Sequence, residues 1–450
     1  MLDLQRFLLK RSYRKERKKI LDLFEQLKKD QYLSAEHIKR KQLAGLNTLL
    51  QHACSNIAYY KNLFEQVKLA HKGQITLASY VDFQKIPFLT KDIIQKEKES
   101  IYVPDHTSRG SYCNTSGGST GEPVRLLQDY DYSVHDAANF LLVKSWRGAD
   151  PFDSEIILWG AEKDIFKGKK SLGSHIRDFV SNRIILNTFS MTPEEMPPYI
   201  KKINRHKPKL IRAYVSSLYE LARFAKENNI RVEQQHAVHA AAGTVYPFMR
   251  DLIEEVFQCR LFNHYGSREV GAVASECSAH DGMHIMMEHC FLEVVDHNGC
   301  PCRPGDEGDI VITTLSNYSM PLIRYKIGDR GILQPFGQCA CGCNYPKLQH
   351  VTGRSTDVFK TKYGGTVDGE YFTHLFYFID GIRQFQVIQK ATDHLLVRIV
   401  KQGDIADTAL AEITGKIHLV MGKQCRVEFT YVKEIEKTKT GKVIYTLSEV

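Results

Sequence analysis

The sequence predicts an α/β protein with a helical lead-in, a large N-terminal α/β domain and a small C-terminal α+β domain. Three observations support this prediction. Helical spacing dominates residues 1–100, and short apolar strands alternate with amphipathic helices from Gly110 onwards. A polar break near residue 350 precedes a segment with its own strands and helix. We therefore expect the lead-in at 1–100, the large domain at 101–354 and the small domain at 357–450.

The lead-in is predicted to be helical because apolar residues recur at helical spacing through residues 4–30 and 34–68. Ser34 and Thr90 stand at expected helix starts, where a side-chain oxygen accepts a hydrogen bond from a free backbone N–H. Pro87 breaks the helical pattern before the helix that Thr90 begins.

Strands and helices alternate through the rest of the chain. In the large domain the predicted strands are 156–160, 183–186, 208–214, 237–243, 260–265 and 291–295, and the helices 130–144, 193–206 and 216–229. In the small domain the predicted strands are 385–389, 394–400 and 425–432, with a helix at 405–421. Sheets of this kind bind ligands in the loops at the carboxyl ends of their strands.

Composition places the chain among ordinary globular proteins, with 43% hydrophobic and 25% charged residues. No apolar run approaches the roughly 18 residues of a membrane span. Asp3 and Arg6 interrupt the first residues, which argues against a signal peptide. The eleven cysteines are an odd number. We therefore expect a reduced, cytoplasmic protein in which clustered cysteines bind metal rather than form disulfides.

The net charge of +9 is concentrated at the N-terminus, where residues 1–50 hold 13 Lys and Arg against 6 Asp and Glu. The remainder is nearly neutral, which argues against a nucleic-acid partner. The basic run from Arg11 to Lys19 is compatible with a solvated helix face or with weak peripheral contact to an anionic membrane or RNA.

One stretch, Asn114–Pro123, contains three glycines and four hydroxyl residues. Glycines bring backbone N–H groups close to a ligand, and hydroxyls add rotatable donors, so such a loop is able to hold a polyphosphate. Taken alone, the composition is equally typical of a hairpin turn. The stretch lacks the Gly-Lys-Ser/Thr of a Walker loop and the strand–GxGxxG–helix context of a dinucleotide site.

Further polar clusters accompany this stretch. Like the stretch itself, the clusters His264–Glu269, Ile323–Asp329 and Gly353–Arg354 are predicted to lie on loops just after strands, and Thr438–Lys442 closes the chain. In order and spacing the set resembles the adenylate-forming (acyl-CoA synthetase-like) superfamily. Within it, the set is most similar to the phenylacetate–coenzyme A ligase group and its CapK-type relatives of capsular-polysaccharide biosynthesis. The resemblance covers about residues 75–450.

The resemblance implies an ATP site. Its phosphate loop would comprise Thr115, Ser116, Gly117, Gly118, Ser119, Thr120 and Gly121, one residue longer than the family pattern. Glu122 stands where many members carry lysine, which favours the polysaccharide branch. The remaining nucleotide-binding residues implied are Gly243, Tyr265, Gly266, Ser267, Arg268, Asp329 and Arg354.

The resemblance also assigns individual roles. Glu269 would ligate Mg²⁺, which prefers carboxylate and phosphate oxygens. The alternative for Glu269 is a surface ion pair with Arg268. Asp329 would bind the ribose hydroxyls, and Lys442 would be the catalytic lysine, although it also fits an ordinary tail lysine. The hinge between domains would fall at Thr356 or Asp357.

Cysteines form a second constellation, with Cys339, Cys341 and Cys343 close together and Cys277 preceding His284. A Cys₃His set suits tetrahedral Zn²⁺. The resemblance implies the ligands Cys277, His284, Cys339 and Cys341 and a structural role. A metal-free loop is the alternative, and the spare thiols Cys300, Cys302 and Cys343 leave the ligand choice open.

The implied function is ATP-dependent activation of a carboxylate to an acyl-adenylate, followed by transfer to a thiol or amine. Coenzyme A is the expected acceptor. The alternatives are a ligase acting on a sugar precursor or carrier, and a catalytically altered scaffold. The acid is expected near Ser216, residues 240–244 and Tyr265, with Phe140 or Trp146 as an aromatic wall. His239 is either a general base there or a packed histidine. A homodimer is a further expectation.

Overall fold

The computed structural model describes residues 17–115, 124–159, 182–188, 191, 193–354, 358–362, 366–376, 379–436 and 443–450. The chain divides into two compact units. The first comprises Met1–Ile327 and Gly331–Val351, and the second Gly328–Arg330 and Thr352–Val450. The bounds and mobility predicted for a small C-terminal domain stay predictions.

Helices occupy the N-terminal part of the first unit and alternate with strands later. They are α1 (Lys18–Asp30), α2 (Ala35–Asn56), α3 (Ala58–Gln66), α4 (Tyr80–Phe83), α5 (Lys91–Glu97), α6 (Tyr130–Trp146), α7 (Met196–His206), α8 (Val215–Glu227) and α9 (Pro247–Phe257). Side-chain oxygens cap several of them. Ser34 accepts from the His37 N–H at 3.4 Å and Thr90 from the Ile93 N–H at 3.3 Å. Both predicted helix starts are confirmed.

Strands of the large sheet and two small hairpins complete the chain as far as Arg354. They are β1 (Ala70–His71), β2 (Gln74–Ile75), β3 (Tyr112–Thr115), β4 (Arg125–Gln128), β5 (Glu155–Trp159), β6 (Arg183–Asn187), β7 (Leu210–Tyr214), β8 (Ala237–Ala241), β9 (Arg260–Ser267), β10 (Gly271–Glu276), β11 (Met283–Ile285), β12 (Cys290–Val295), β13 (Glu307–Thr314), β14 (Tyr325–Leu333) and β15 (Lys347–Arg354).

Among the described residues, the largest sheet has the order β12-β13-β14-β15-β11-β10-β9-β8-β7-β5-β6. Strands β6, β5, β7, β8 and β9 run parallel, whereas β9, β10, β11 and β15 pair antiparallel. The parallel strand β8 is buried along its whole length, as expected for strands covered on both faces. This mixed α/β architecture confirms the predicted fold class.

The helical lead-in shares one hydrophobic core with the large sheet. Leu46 and Leu49 of α2 are fully buried in the same cluster as Ile310 and Ile312 of β13. The Tyr60 hydroxyl of α3 donates to the Pro321 carbonyl at 2.7 Å. The lead-in therefore contributes to the core that positions the sheet.

Three predicted loops lie wholly or partly in strands of the structure. The residues His264–Ser267 belong to β9, Asp329 lies in the middle of β14, and Gly353–Arg354 form the end of β15. The loop prediction was wrong because polar residues alternate with buried ones in β14, as they do in a strand with one buried face. The sequence analysis also missed β10, β13, β15 and the helix α9.

The second unit contains β16 (Val358–Lys360), β17 (Thr366–Asp368), α10 (Gly369–Phe376), β18 (Ile382–Ala391), β19 (His394–Lys401), α11 (Asp407–Met421), β20 (Arg426–Tyr431) and β21 (Thr446–Ser448). Its main sheet has the order β20-β19-β18-β21. Phe359, Phe372, Phe376 and Phe385 fill a separate core. The predicted strands and the helix at 405–421 are present. Within the described ranges, no helix has both the length and the apolar character needed to cross a membrane.

Candidate active site

Strands β3 and β4, on either side of the predicted phosphate loop in the sequence, form the stem of a hairpin. They pair antiparallel, with Thr115 opposite Arg125. Thr115 is therefore the last described residue before the loop, and Val124 is the first after it. The other predicted phosphate-loop residues, Ser116, Gly117, Gly118, Ser119, Thr120 and Gly121, lie outside the described residues, as does Glu122.

The stem of this hairpin is hydrogen-bonded to the predicted Tyr265–Glu269 motif. The Gln128 side chain donates to the Arg268 carbonyl at 2.7 Å and to the Glu269 carbonyl at 3.3 Å. The Asn114 amide donates to the same Arg268 carbonyl at 3.3 Å and to Gln128 Oε1 at 3.1 Å. The fold thus brings two clusters together that are about 140 residues apart in sequence.

Asp129 fixes the base of the hairpin. One carboxylate oxygen accepts from the Tyr132 N–H at 2.9 Å and caps helix α6. The other accepts from the Tyr318 and Ser319 N–H groups, each at 2.9 Å. The sequence analysis missed Asp129, although an aspartate directly before an amphipathic helix is a recognisable N-cap signal.

Glu269 lies in the turn between β9 and β10, and its side chain is largely buried. Its N–H donates to Ser267 Oγ at 3.1 Å. Gly266, in β9 just before this turn, must be a glycine because a Cβ at that position would stand 2.5 Å from the Gly271 carbonyl oxygen. Among the described residues no ion pair joins Glu269 to Arg268. The predicted magnesium ligand therefore sits on a turn with a fixed backbone.

Neighbouring polar groups brace the same turn. Asp136 of α6 accepts from the Ala272 N–H at 2.9 Å. His289 Nε2 lies 2.9 Å from the Val270 carbonyl, and its Nδ1 lies 2.8 Å from Ser316 Oγ. Burial lowers the pKa of His289 to about 4, so its ring is neutral at physiological pH. These contacts were not predicted from the sequence because each one joins distant segments.

The remaining predicted nucleotide residues are spread over several elements. Gly243 follows β8, Asp329 is largely buried in β14, and Arg354 is the last residue of β15. Lys442 and the predicted hinge at Thr356 or Asp357 lie outside the described residues. Their roles stay predictions.

Arg324, within the predicted Asp329 cluster, is a structural residue. It is buried and forms a paired contact with Glu293, at 3.1 Å from Nε to Oε2 and 3.0 Å from Nη2 to Oε1. Its Nη1 donates to the carbonyls of Gln84 and Ile86, each at 2.7 Å. The guanidinium also lies 4.4 Å from the ring centre of Phe88. Arg324 thereby holds the 84–89 segment against β14.

Cys277, His284, Cys339 and Cys341 converge. Their ligand atoms all lie within 4.8 Å of one another. The sulfurs of Cys277 and Cys339 are 3.7 Å apart, and the Cys341 sulfur is 3.3 Å from His284 Nε2. The first three side chains are buried. These four residues are the set that the sequence analysis named.

Neighbouring groups orient the four-residue cluster and shift the pKa values of its thiols, and burial raises the pKa of Cys277. His284 Nδ1 lies 3.1 Å from the Tyr345 carbonyl, which orients Nε2 towards the sulfurs. Hydrogen bonding, first from Cys343, lowers the pKa of the Cys341 thiol to about 4. The cluster connects the β10–β11 hairpin to the loop before β15.

Comparison with known proteins finds a matching family model and several similar proteins. Residues 359–449 match the family model of the CapK C-terminal domain. Protein CapK of Staphylococcus aureus is 23% identical over 403 residues, which are 88% of this chain and 86% of that protein. The phenylacetate–coenzyme A ligase of Aromatoleum evansii is 26% identical over 336 residues, and that of Escherichia coli K12 is 26% identical over 343. These matches cover 72% of this chain and 72% and 73% of the two ligases.

These similarities support an adenylate-forming ligase of the CapK and phenylacetate–coenzyme A ligase type.

Solved structures agree on the fold of this ligase. A 2-hydroxyisobutyryl-CoA ligase in the postadenylation state superposes with a TM-score of 0.71 at 19% identity, covering 93% of this chain and 90% of that one. The o-succinylbenzoate coenzyme A synthetase of Bacillus subtilis, in complex with ATP and magnesium, gives a TM-score of 0.52 at 13% identity, covering 74% and 68%. At these identities the likeness concerns the fold.

The two aromatic residues predicted to wall the acid pocket of the ligase lie in different places. Phe140 of α6 packs over the middle of β7 and β8, with its ring centre 5.9 Å from that of His239 and 4.6 Å from the guanidinium carbon of Arg212. Trp146 instead donates to Gln31 Oε1 at 2.8 Å and lies 5.4 Å from the His284 ring, beside the cysteine cluster. The prediction for Trp146 was wrong because it sits near the far end of the same helix.

His239 is fully buried beneath Phe140. Burial holds the pKa of His239 well below its usual value, so the ring stays neutral. This environment favours the packed histidine of the sequence analysis over a general base, which needs a pKa near the working pH.

Proposed function

We propose that this ligase activates a carboxylic acid with ATP to an acyl-adenylate and pyrophosphate, and then transfers the acyl group to an acceptor. The observation that carries the proposal is the direct bonding of the phosphate-loop hairpin to the Arg268–Glu269 backbone through Gln128 and Asn114. A nucleotide held by the loop would therefore meet Glu269 in a fixed position.

Each residue has a chemical task in this proposal. The loop N–H groups and hydroxyls would bind the β- and γ-phosphates, and Glu269 would hold Mg²⁺ together with phosphate oxygens. Asp329 would accept hydrogen bonds from the ribose hydroxyls. Lys442 would stabilise negative charge on the α-phosphate as the acid's carboxylate attacks. Arg354 would face the ribose or the phosphates.

For the acceptor we propose coenzyme A, because phenylacetate–coenzyme A ligases match 72% of the chain. A second candidate is an amine or hydroxyl of a sugar precursor in surface-polysaccharide synthesis. The match of residues 359–449 to the CapK C-terminal domain, and of 88% of the chain to Protein CapK, favours this candidate.

We also propose that the four-residue cluster holds a structural zinc ion. In a tetrahedral site with zinc–sulfur bonds of about 2.3 Å, sulfur atoms are about 3.8 Å apart. The 3.7 Å between Cys277 and Cys339 fits that spacing. A bound zinc would complete four coordination positions and fix the loop between β14 and β15, without taking part in adenylation.

A pyrophosphate-release screen tests the proposed activity. Aryl, alkyl, hydroxy, amino and dicarboxylic acids are each supplied with ATP and Mg²⁺, and the active acid is then tried with coenzyme A and with amino sugars. We expect acid-dependent pyrophosphate release that Lys442→Ala abolishes and Lys439→Ala retains. Undiminished release by Lys442→Ala would refute the role of this lysine. ATP binding without release for any acid would point instead to a catalytically altered scaffold.

A further inference from the structure

Basic side chains line one face of the large sheet beneath helix α6. Arg212 on β7 is directly opposite His239 on the neighbouring strand β8. His264 on β9 is opposite Ala241, two residues nearer the carboxyl ends of these parallel strands. The two imidazole rings are 4.7 Å apart between centres. The three side chains thus form one continuous row, called here the basic row.

Three nitrogens of the basic row have no hydrogen-bond partner among the described residues. They are Nε of Arg212 and Nδ1 of both His239 and His264, and all three are buried. Buried polar atoms in folded proteins are nearly always hydrogen-bonded, because an unpaired donor forfeits its bonds to water. Three such atoms side by side therefore indicate a site built to receive a polar group.

The carboxylate of Glu155 acts electrostatically on Arg212 but forms its ion pairs with other cations. Glu155 pairs with Lys144 at 3.3 Å and with Arg183 at 3.0 Å. Asp136 accepts from the Ala272 N–H. Burial lowers the pKa of His264 to about 3, so the imidazoles act as neutral donors or acceptors. Arg212 therefore supplies the positive charge of the basic row, and an oxygen acceptor is the complementary ligand.

The row lies where an acid's tail would extend. Phe140 covers it, with its ring centre 4.6 Å from the Arg212 guanidinium carbon, and Phe140 is itself only partly buried. The carboxyl ends of β7 and β8, at Tyr214 and Ala241, lie just above Arg212 and His239. The sequence analysis expects the acid near Ser216, residues 240–244 and Tyr265, close to the carboxyl ends of β7, β8 and β9. An acyl chain that extends from there back along the strands would reach the basic row.

We propose, on the basis of the adenylation proposed above, that the substrate is a carboxylic acid with an oxygen-bearing group at its far end. A hydroxyl, a carbonyl or a second carboxylate there would accept from Arg212, His239 and His264, while Phe140 packs on the intervening carbons. An aryl or alkyl acid would leave these donors unpaired. The basic row is therefore the determinant of substrate class.

The test compares acids of matched length by pyrophosphate release, with hexanoate and phenylacetate as apolar substrates and adipate, 5-oxohexanoate and 6-hydroxyhexanoate as polar-tailed ones. We expect the wild type to prefer at least one polar-tailed acid by about 100-fold or more in kcat/KM, since unpaired buried donors reject the apolar analogue. Arg212→Met should reduce that preference by about 10- to 100-fold, mainly through KM, while hexanoate is used at least as well as before. The exposed arginine Arg205 of α7 provides the control, Arg205→Met, which should leave the preference unchanged.

The outcomes separate the two proposals. Wild-type preference for hexanoate or phenylacetate, or an unchanged preference in a folded Arg212→Met enzyme, would overturn the basic row as a tail site while adenylation stands. Absence of pyrophosphate release with every acid would refute adenylation, and the tail site with it. Should Arg212→Met fail to fold, His239→Gln supplies the same comparison, with a smaller loss of preference expected because its amide still donates.

Discussion

A buried cluster of two carboxylates and one lysine predicts an unusual pH dependence of stability. Lys41 Nζ lies 2.7 Å from Glu288 Oε1 and also contacts Asp30. The side chains of Glu288 and Asp30 are only 14% and 7% exposed. One ammonium cannot balance two carboxylates in this environment, so one of them retains a proton. Burial raises the pKa of Glu288 to about 7, whereas the pKa of Asp30 is lowered despite its burial, mainly by hydrogen bonding from Lys41.

The direction in which stability changes with pH follows from the number of protons bound by the folded and unfolded states. Glu288 has an ordinary pKa of 4.5 when unfolded and about 7 when folded, so the folded protein binds more protons between these values. Stability from this group is therefore fully present below about pH 4.5 and is lost as pH rises through 7. A difference of two to three pKa units corresponds to about 3 kcal/mol. Asp30 changes charge below this window and Lys41 above it.

The substitution Glu288→Gln keeps the shape of the protonated side chain and removes the titration. Urea unfolding at pH 5, 6, 7 and 8 should show wild-type stability falling by about 2.5 kcal/mol more than that of the variant across this range. Glu255→Gln is the control, because Glu255 forms an ion pair on the exposed face of α9 and should leave the wild-type slope intact. A Glu288→Gln slope equal to the wild-type slope would refute the reasoning.

Three further perturbations test other parts of the structure. Cys277→Ser should lower bound zinc, measured by elemental analysis, from about one ion per chain to well below one, and should also lower the melting temperature. The control Cys300→Ser should change neither quantity. The site would be excluded if untagged wild-type protein contains no zinc and melts at the same temperature after chelator treatment. Asp129→Ala removes a helix cap and leaves the Tyr318 and Ser319 N–H groups unpaired. We therefore expect urea unfolding to show a loss of about 2 to 4 kcal/mol in stability, together with a raised KM for ATP. An unchanged KM would contradict the role of Asp129 in positioning the predicted phosphate loop. Arg324→Met leaves Glu293 buried without its partner and should lower the free energy of unfolding by about 3 to 5 kcal/mol in urea at pH 8. The double variant with Glu293→Leu should recover much of this loss. A single variant as stable as wild type would contradict the structural role of Arg324.

The sequence was sufficient for features that depend on local pattern. Apolar runs located the parallel strands β5, β7 and β8, and the hydroxyls at Ser34 and Thr90 located helix starts, because propensity and capping act within a few residues. The clustering of cysteines indicated a metal site, but the choice of Cys277, His284, Cys339 and Cys341 over the spare thiols came from the family resemblance.

Features that depend on distant partners were not predictable. Asp329 was placed on a loop because its cluster is polar, but neighbouring strands supply the backbone hydrogen bonds that make β14 a strand. Trp146 looked like a pocket wall, but the length of α6 carries it to the cysteine cluster. Arg212 and His239 lie 27 positions apart on separate strands, and only the register of β7 and β8 shows that they share a face.

The contacts that position the candidate site are mostly long-range and lie outside its motifs. Gln128 reaches Arg268 across 140 positions, Asp129 reaches Ser319 across 190, and Arg324 reaches Gln84 across 240. Each of these side chains bonds to backbone atoms of its partner. These bonds therefore hold the backbone in place and do not depend on which side chain the partner residue carries. Substitutions at Gln128 or Asp129 should therefore impair adenylation by displacing the hairpin that carries the phosphate loop, even though neither side chain needs to touch the nucleotide.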